Sequence, residues 1–335
     1  MTLLTRRAAV LAALVVASAS IGLASRPASA DDSVQLNLVA YSTPRDAYAD
    51  LIKAFQATPA GRNVTFSQAY GASGEQSRAV AAGLPADVVA FSLEPDITNL
   101  VTAGLVSADW NKDQYHGMVT DSVVVFVVRK GNPKHVRAWA DLIKPGMDVI
   151  TPNPFTSGGA RWNVMAAYGA MLKRGASPNY AISYLSKLFD HISVQDKSGR
   201  ESLTTFLAGK GDVMLAYENE AIFAQRNGAD VDYIVPDQTI LIENPIAVVS
   251  SSPHQQQARA FVDFLHTPQA QAIFAAHGYR PVARNVPTNV RFPQPHTLFD
   301  IAFLGGWQSV ETRFFDPQNG EVAQIERALG IAGGH

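Results

Sequence analysis

The chain has 335 residues, with 27 lysines and arginines against 29 aspartates and glutamates and no cysteine. The absent cysteine excludes disulfides, thiolate metal sites and a lipidated N-terminal cysteine. The near-balanced charge offers no basic surface for nucleic acid or acidic lipid.

The first thirty residues read as a secretory signal peptide. Arg6 and Arg7 precede an apolar run over about residues 8–23, and Ala28-Ser29-Ala30 gives a small-x-small cleavage pattern before Asp31. The arginine pair also suits twin-arginine export. The run is too short, and its exit too polar, for a membrane span. Loss of Arg6, Arg7 and Arg26 leaves 24 basic and 29 acidic side chains, a formal charge of −5. Any anion must then be held by local dipoles rather than by a broad positive field. No later apolar run approaches the roughly 20 residues of a spanning helix. The expectation is a soluble, extracytoplasmic chain with no lipid anchor, long enough for two lobes, each with its own core.

Val34, Leu36, Leu38 and Ala40 alternate with polar neighbours and predict a first strand. Pro44 suits the first position of a helix in which Tyr48, Leu51, Ile52 and Phe55 share a face. Val64-Thr65-Phe66-Ser67-Gln68 is a second strand, followed by Gly71-Ala72-Ser73-Gly74-Glu75-Gln76, where Ser73 and Gln76 have capping-box spacing. Asp87-Val88-Val89-Ala90-Phe91 is a third. Ser92 and Pro95 then open a helix that Gly104 stops. The βαβαβα order implies a parallel sheet, with ligands bound beyond the carboxyl ends of the strands, where Ser42 and Ser73 lie.

A β-branched run from Ser122 to Arg129 leads into a second βα series. Its strands are Val149-Ile150, Ile192-Ser193-Val194 and Asp212-Val213-Met214-Leu215-Ala216, and its helices begin near Ser157, Arg200 and Glu218. A strand at Pro245-Ile246-Ala247-Val248-Val249 and helices over about residues 253–265 and 268–276 return the chain to the first half. The crossings are expected at about residues 121–126 and 243–247, giving one lobe from 31–123 plus 246–335 and another from 124–245, with a cleft between them.

Pro152 and Pro154 restrain the loop before Ser157, which stands at an N-cap position. Gly158 and Gly159 then occupy the first helical turn, where glycine costs roughly 1 kcal/mol against alanine. Without Cβ atoms they let a ligand approach free N–H groups at the positive end of a helix, which favours an anion. The bland alternative is a capped helix with a flexible start. The eight histidines show no metal-ligand spacing, and no calcium-loop pattern occurs. Gly71-Ala72-Ser73-Gly74-Glu75 lacks the last glycine of a nucleophile elbow, so a secreted serine hydrolase is the weaker alternative of another class. Trp139, Trp162, Trp307, Phe314 and Phe315 are read as packing residues.

Five blocks carry a resemblance over nearly the whole mature chain: Arg129-Lys130-Gly131-Asn132-Pro133-Lys134, Asp141-Leu142-Ile143-Lys144-Pro145-Gly146, Val149-Ile150-Thr151-Pro152-Asn153-Pro154, Ser157-Gly158-Gly159-Ala160-Arg161-Trp162-Asn163, and Glu218-Asn219-Glu220-Ala221. With them the chain resembles the periplasmic sulfate-binding proteins of ABC importers. The resemblance implies an α/β, two-lobed periplasmic-binding-protein fold of type II, with two parallel-rich sheets joined by a two-segment hinge. It implies a sulfate dianion held by neutral donors in the cleft, an ABC permease as partner and no catalysis; a monomer is the default expectation, and no cofactor or metal is expected. Carried over residue by residue, the ligand-binding positions are Ser42, Ser73, Ser157, Gly158, Gly159, Gly199 and Tyr217. Ser157 would give both amide and hydroxyl, while Arg161 and Arg200 would brace backbone carbonyls behind the site. Tyr217 stands where the family has tryptophan and Glu75 where it commonly has lysine. Thiosulfate, molybdate and tungstate are therefore the alternative ligands.

Overall fold

A computed structural model describes residues 33–331, so the expected signal peptide and its cleavage point lie outside the described residues. Strands β1 (Val34–Tyr41), β2 (Val64–Gly71) and β3 (Val88–Ala90) alternate with helices α1 (Arg45–Gln56), α2 (Ser73–Ala81) and α3 (Glu94–Thr102). Next come β4 (Met118–Arg129), β5 (Val149–Pro152), α4 (Gly158–Lys173), α5 (Pro178–Asp190), β6 (Ile192–Asp196), α6 (Gly199–Leu207), β7 (Val213–Tyr217) and α7 (Glu218–Arg226). The chain ends with β8 (Val231–Ile234), β9 (Gln238–Val248), α8 (Gln255–Leu265), α9 (Pro268–Ala276), β10 (Thr297–Phe299), α10 (Gly306–Val310) and α11 (Glu321–Ala328).

The strands run in the order β2-β1-β3-β9-β4-β7-β5-β6, which is one pattern used twice. β1 lies parallel between β2 and β3, and β5 lies parallel between β6 and β7. A reversed strand closes each set, β9 against β3 and β4 against β7. Those two reversed strands pair with each other from Met118↔Pro245 to Val123↔Leu241, and β4 takes β7 as partner from Val124 onward. β8 adds to β4 and β10 to β9. β3, β5 and β7 are buried along their whole length, as strands covered by helices on both faces must be.

The expected face of α1 is the one buried, through Ala47, Tyr48, Leu51, Ile52 and Phe55. Phe55 meets Phe261 of α8 edge-on at 5.2 Å, which returns the late chain to the β1–β3 half. α4 is buried nearly all round, including Trp162, Met165 and Tyr168, so its sequence has apolar residues on every face.

Three expectations change. Ser73 is the first residue of α2 rather than its cap; the cap position is Ala72, without a side-chain bond. Ser92 does not open α3, whose cap position is Leu93 and whose second residue is Pro95. Pro44 stands one position before α1 rather than inside it. Helix α5 was unanticipated, although Ser177 caps it by accepting from the Tyr180 N–H and Pro178 follows directly.

Candidate functional site

Beyond the carboxyl ends of β1, β2, β3, β5 and β7, the chain encloses a small cavity, with about 20 Å³ open to the centre of a water molecule. That holds one or two waters or one anion of a few heavy atoms. Its lining combines Tyr41 at the end of β1, Ser42 and Thr43 after it, Ala72 and Ser73 after β2, and Ser92 after β3 with Pro152, Ser157, Gly159, Asn163, Ser198, Gly199, Tyr217 and Glu220 from the β5–β7 half.

Six of the seven expected binding residues line this cavity: Ser42, Ser73, Ser157, Gly159, Gly199 and Tyr217. Gly158 sits at the seam between the walls. A Cβ there would stand 2.7 Å from Leu93 Cδ2 and 2.8 Å from Ser92 Cβ and Oγ, so the start of α4 presses on the loop after β3. Four helices begin at the wall: α2 at Ser73, α4 at Gly158, α6 at Gly199 and α7 after Tyr217. First-turn N–H groups have no intrahelical partner and carry the positive end of the helix dipole.

The hydroxyls divide by task. Ser157 occupies the N-cap position of α4 with φ −106° and ψ 120° but does not cap it. Its N–H is already spent on the Asn153 carbonyl at 2.9 Å, so the hydroxyl remains as its donor, not both groups. The Ser73 hydroxyl turns away from the cavity, donating to Asp96 Oδ2 at 2.5 Å and accepting from the Ser92 N–H at 2.9 Å. What Ser73 can offer a ligand is its amide. Tyr217 places its hydroxyl 2.5 Å from Ser92 Oγ. Burial raises the Tyr217 pKa well above that of an ordinary phenol, so it stays a neutral O–H able to donate and to accept.

Arg161, Arg200 and Lys197, which flank the cavity loops, are each paired. Arg161 donates to the Pro154 carbonyl at 2.8 Å and pairs with Glu311 at 2.5 Å. Arg200 forks onto Glu220 at 3.0 and 2.9 Å, donates to the Thr43 carbonyl at 2.8 Å and reaches Asp46 at 3.1 Å. Neither arginine lines the cavity. Glu75 pairs with Lys197 at 2.8 Å, joining the first turn of α2 to the segment before α6. Burial raises the pKa of Asp96, opposed by Arg161 and the Ser73 hydroxyl. Among the described residues no cluster of histidine, aspartate or glutamate is arranged to hold a metal ion.

Sequence reasoning missed Ser92, Thr43, Asn163 and Glu220 as lining residues. Ser92 had a signal: a serine two residues after β3, much as Ser42 directly follows β1. Asn163 donates to Thr151 Oγ1 at 2.9 Å and to the Leu215 carbonyl at 3.0 Å, a role no local pattern announces.

The doubled βαβαβ pattern with two reversed crossing strands and a ligand-sized cavity between the strand ends is the type II periplasmic-binding-protein fold. Residues 36–280 match the family of bacterial extracellular solute-binding proteins, and the chain belongs to that family. It is 41% identical to the sulfate-binding protein of Synechococcus elongatus, over 88% of this chain and 87% of that one. A thiosulfate-binding protein of Pseudomonas aeruginosa is 36% identical over 83% of this chain and 88% of its own. The solved sulfate-binding protein SubI from Mycobacterium tuberculosis H37Rv superposes with a TM-score of 0.82 at 46% identity, covering 84% of this chain and all of that one.

Proposed function

We propose that this protein captures sulfate in the cavity between two lobes, residues 31–123 with 246–335 and residues 124–245, and delivers it to the membrane permease of an ABC importer. The chain acts outside the cytoplasm after cleavage near Ala30-Asp31, as a monomer that makes and breaks no covalent bond. The observation that carries this reading is the donor set: a cavity for one small anion, walled by four helix starts and by neutral hydroxyls, with Arg161, Arg200 and Lys197 each already paired.

Sulfate has no proton at neutral pH and asks only for donors. Hydrogen phosphate brings a proton that, if unpaired, costs about 1–3 kcal/mol, or roughly 5- to 150-fold in affinity. Glu220, the one carboxylate in the lining, is held by Arg200. The pair therefore leaves sulfate ahead of phosphate. The relation to a thiosulfate-binding protein supports thiosulfate as a second ligand. A hydrolytic role finds little support, since the Ser73 hydroxyl is bonded to Asp96 and no histidine lines the cavity.

Calorimetric titration of residues 31–335, freed of bound anion, with sulfate, thiosulfate, molybdate, tungstate and phosphate at neutral pH tests the proposal. Submicromolar sulfate binding with phosphate at least about fivefold weaker is the expected result. Equal binding of phosphate would overturn the donor-only account, and heat from none of the five would overturn oxyanion capture.

A further inference from the structure

Ser92 carries more cross-cavity contacts than a loop serine needs. It follows β3 on one wall and is 1% exposed. Its N–H donates to the Ser73 hydroxyl at 2.9 Å, tying it to the loop that opens α2. Its carbonyl accepts the Trp162 indole N–H of α4 at 2.8 Å and the Asn244 amide of β9 at 3.0 Å. Its hydroxyl lies 2.5 Å from the Tyr217 hydroxyl at the end of β7, and the Tyr217 oxygen lies 3.4 Å from the same carbonyl. Gly158, the first residue of α4, leaves no Cβ between itself and Ser92. Two separate elements of the opposite wall, α4 and β7, therefore close upon one residue.

The proton count gives this contact a consequence for the ligand. The two hydroxyls bring two protons, and one bridges Ser92 Oγ and Tyr217 Oη. The Ser92 carbonyl is a poor acceptor for the other, being 3.4 Å away and already taking two N–H donors. We propose that Ser92 is a positioning residue: its hydroxyl donates to Tyr217 Oη and so directs the Tyr217 proton into the cavity. The donor chain Ser92 to Tyr217 to anion is polarised along its length, and it is complete only when the walls meet. Tyr217 touches the ligand, and Ser92 acts through it.

This inference rests on the proposed capture of sulfate, and a double-mutant cycle with calorimetric sulfate titration tests the two separately. Ser92→Ala removes the hydroxyl and keeps the carbonyl and amide contacts, so melting of the anion-free protein should stay within about two degrees of wild type. Sulfate binding should weaken about tenfold, as for loss of one polarised hydrogen bond. In a Tyr217→Phe background, Ser92→Ala should change affinity less than twofold, which a merely structural serine would not predict. Sulfate binding by wild type with unchanged affinity in Ser92→Ala overturns the inference alone, as does an equal additional loss in the Tyr217→Phe background. No sulfate binding by wild type overturns both this inference and the function beneath it.

Discussion

Gly158→Ala separates closing from folding. In the structure an added Cβ would stand 2.8 Å from Ser92 Cβ and 2.7 Å from Leu93 Cδ2, where unstrained carbons sit at about 3.5–4.0 Å. The walls must part by several tenths of an ångström to admit it. Overpacking of this kind costs about 1–3 kcal/mol. When the walls are apart the same methyl meets nothing from the opposite side, and alanine gains up to about 1 kcal/mol over glycine within a helix. The full cost therefore falls on the closed, liganded form. Calorimetry should show sulfate affinity reduced about 5- to 150-fold, while scanning calorimetry of the anion-free protein shows melting unchanged or higher. Gly199→Ala is the control: its Cβ would meet only Thr43 Cγ2, at an ordinary 3.5 Å, so affinity should stay within about threefold. Binding by Gly158→Ala within twofold of wild type would refute the reasoning, as would a several-degree loss in anion-free melting.

Arg200→Ala leaves the buried Glu220 carboxylate without its fork and should cost about 3–5 kcal/mol in urea unfolding; adding Glu220→Gln should recover part of that loss. Glu75→Gln breaks the Lys197 bridge between the two walls, and stopped-flow should show faster sulfate release, by no more than about threefold and less as salt is added. Asp121 of β4 faces Glu243 of β9 in the register, and burial first, then Glu243, pushes its pKa up to about 7, with Arg280 opposing. The folded form thus holds a proton that the unfolded chain releases at about 3.9. Its contribution falls as pH rises through that window, by up to about 4 kcal/mol, and Asp121→Asn should flatten the decline between about pH 4 and 7 in unfolding titrations.

What the sequence disclosed follows from which forces are local. β3, β5 and β7 are short apolar runs because both faces are covered, and α1 shows its buried face at helical spacing. Glycines at helix starts mark a close approach, so the loops that line the cavity were legible. β8 and β10 are four and three residues long and complete a sheet edge, with no period long enough to read. Ser73 looked like a cap because the box spacing is local; Asp96, 23 residues away, takes its hydroxyl instead. Ser92 looked like a helix opener because its own partners, Trp162, Tyr217 and Asn244, lie 70, 125 and 152 residues distant. Contacts between segments so far apart leave no trace in neighbouring residues.

The pairing of Arg161, Arg200 and Lys197 bears on release as much as on capture. A lysine or arginine in the cavity would attract any anion, protonated or not, and would go on attracting it after the walls part. Here Arg161, Arg200 and Lys197 are answered by Glu311, Glu220 and Glu75, and the donors left are N–H and O–H groups of fixed direction. Such donors weaken steeply with angle and distance, and they discriminate by whether the oxygen they face carries a proton. On the proposed reading they are also shared between two walls: Ser42 and Ser73 on one, Ser157, Gly159, Gly199 and Tyr217 on the other. Separation of the walls would therefore remove one wall's donors at once and break the Ser92–Tyr217 bridge in the same step. An anion bound this way is held tightly by the closed form and weakly by the open one. That difference in affinity between two conformations is what a ligand needs to drive closure, and what a permease needs to reverse it.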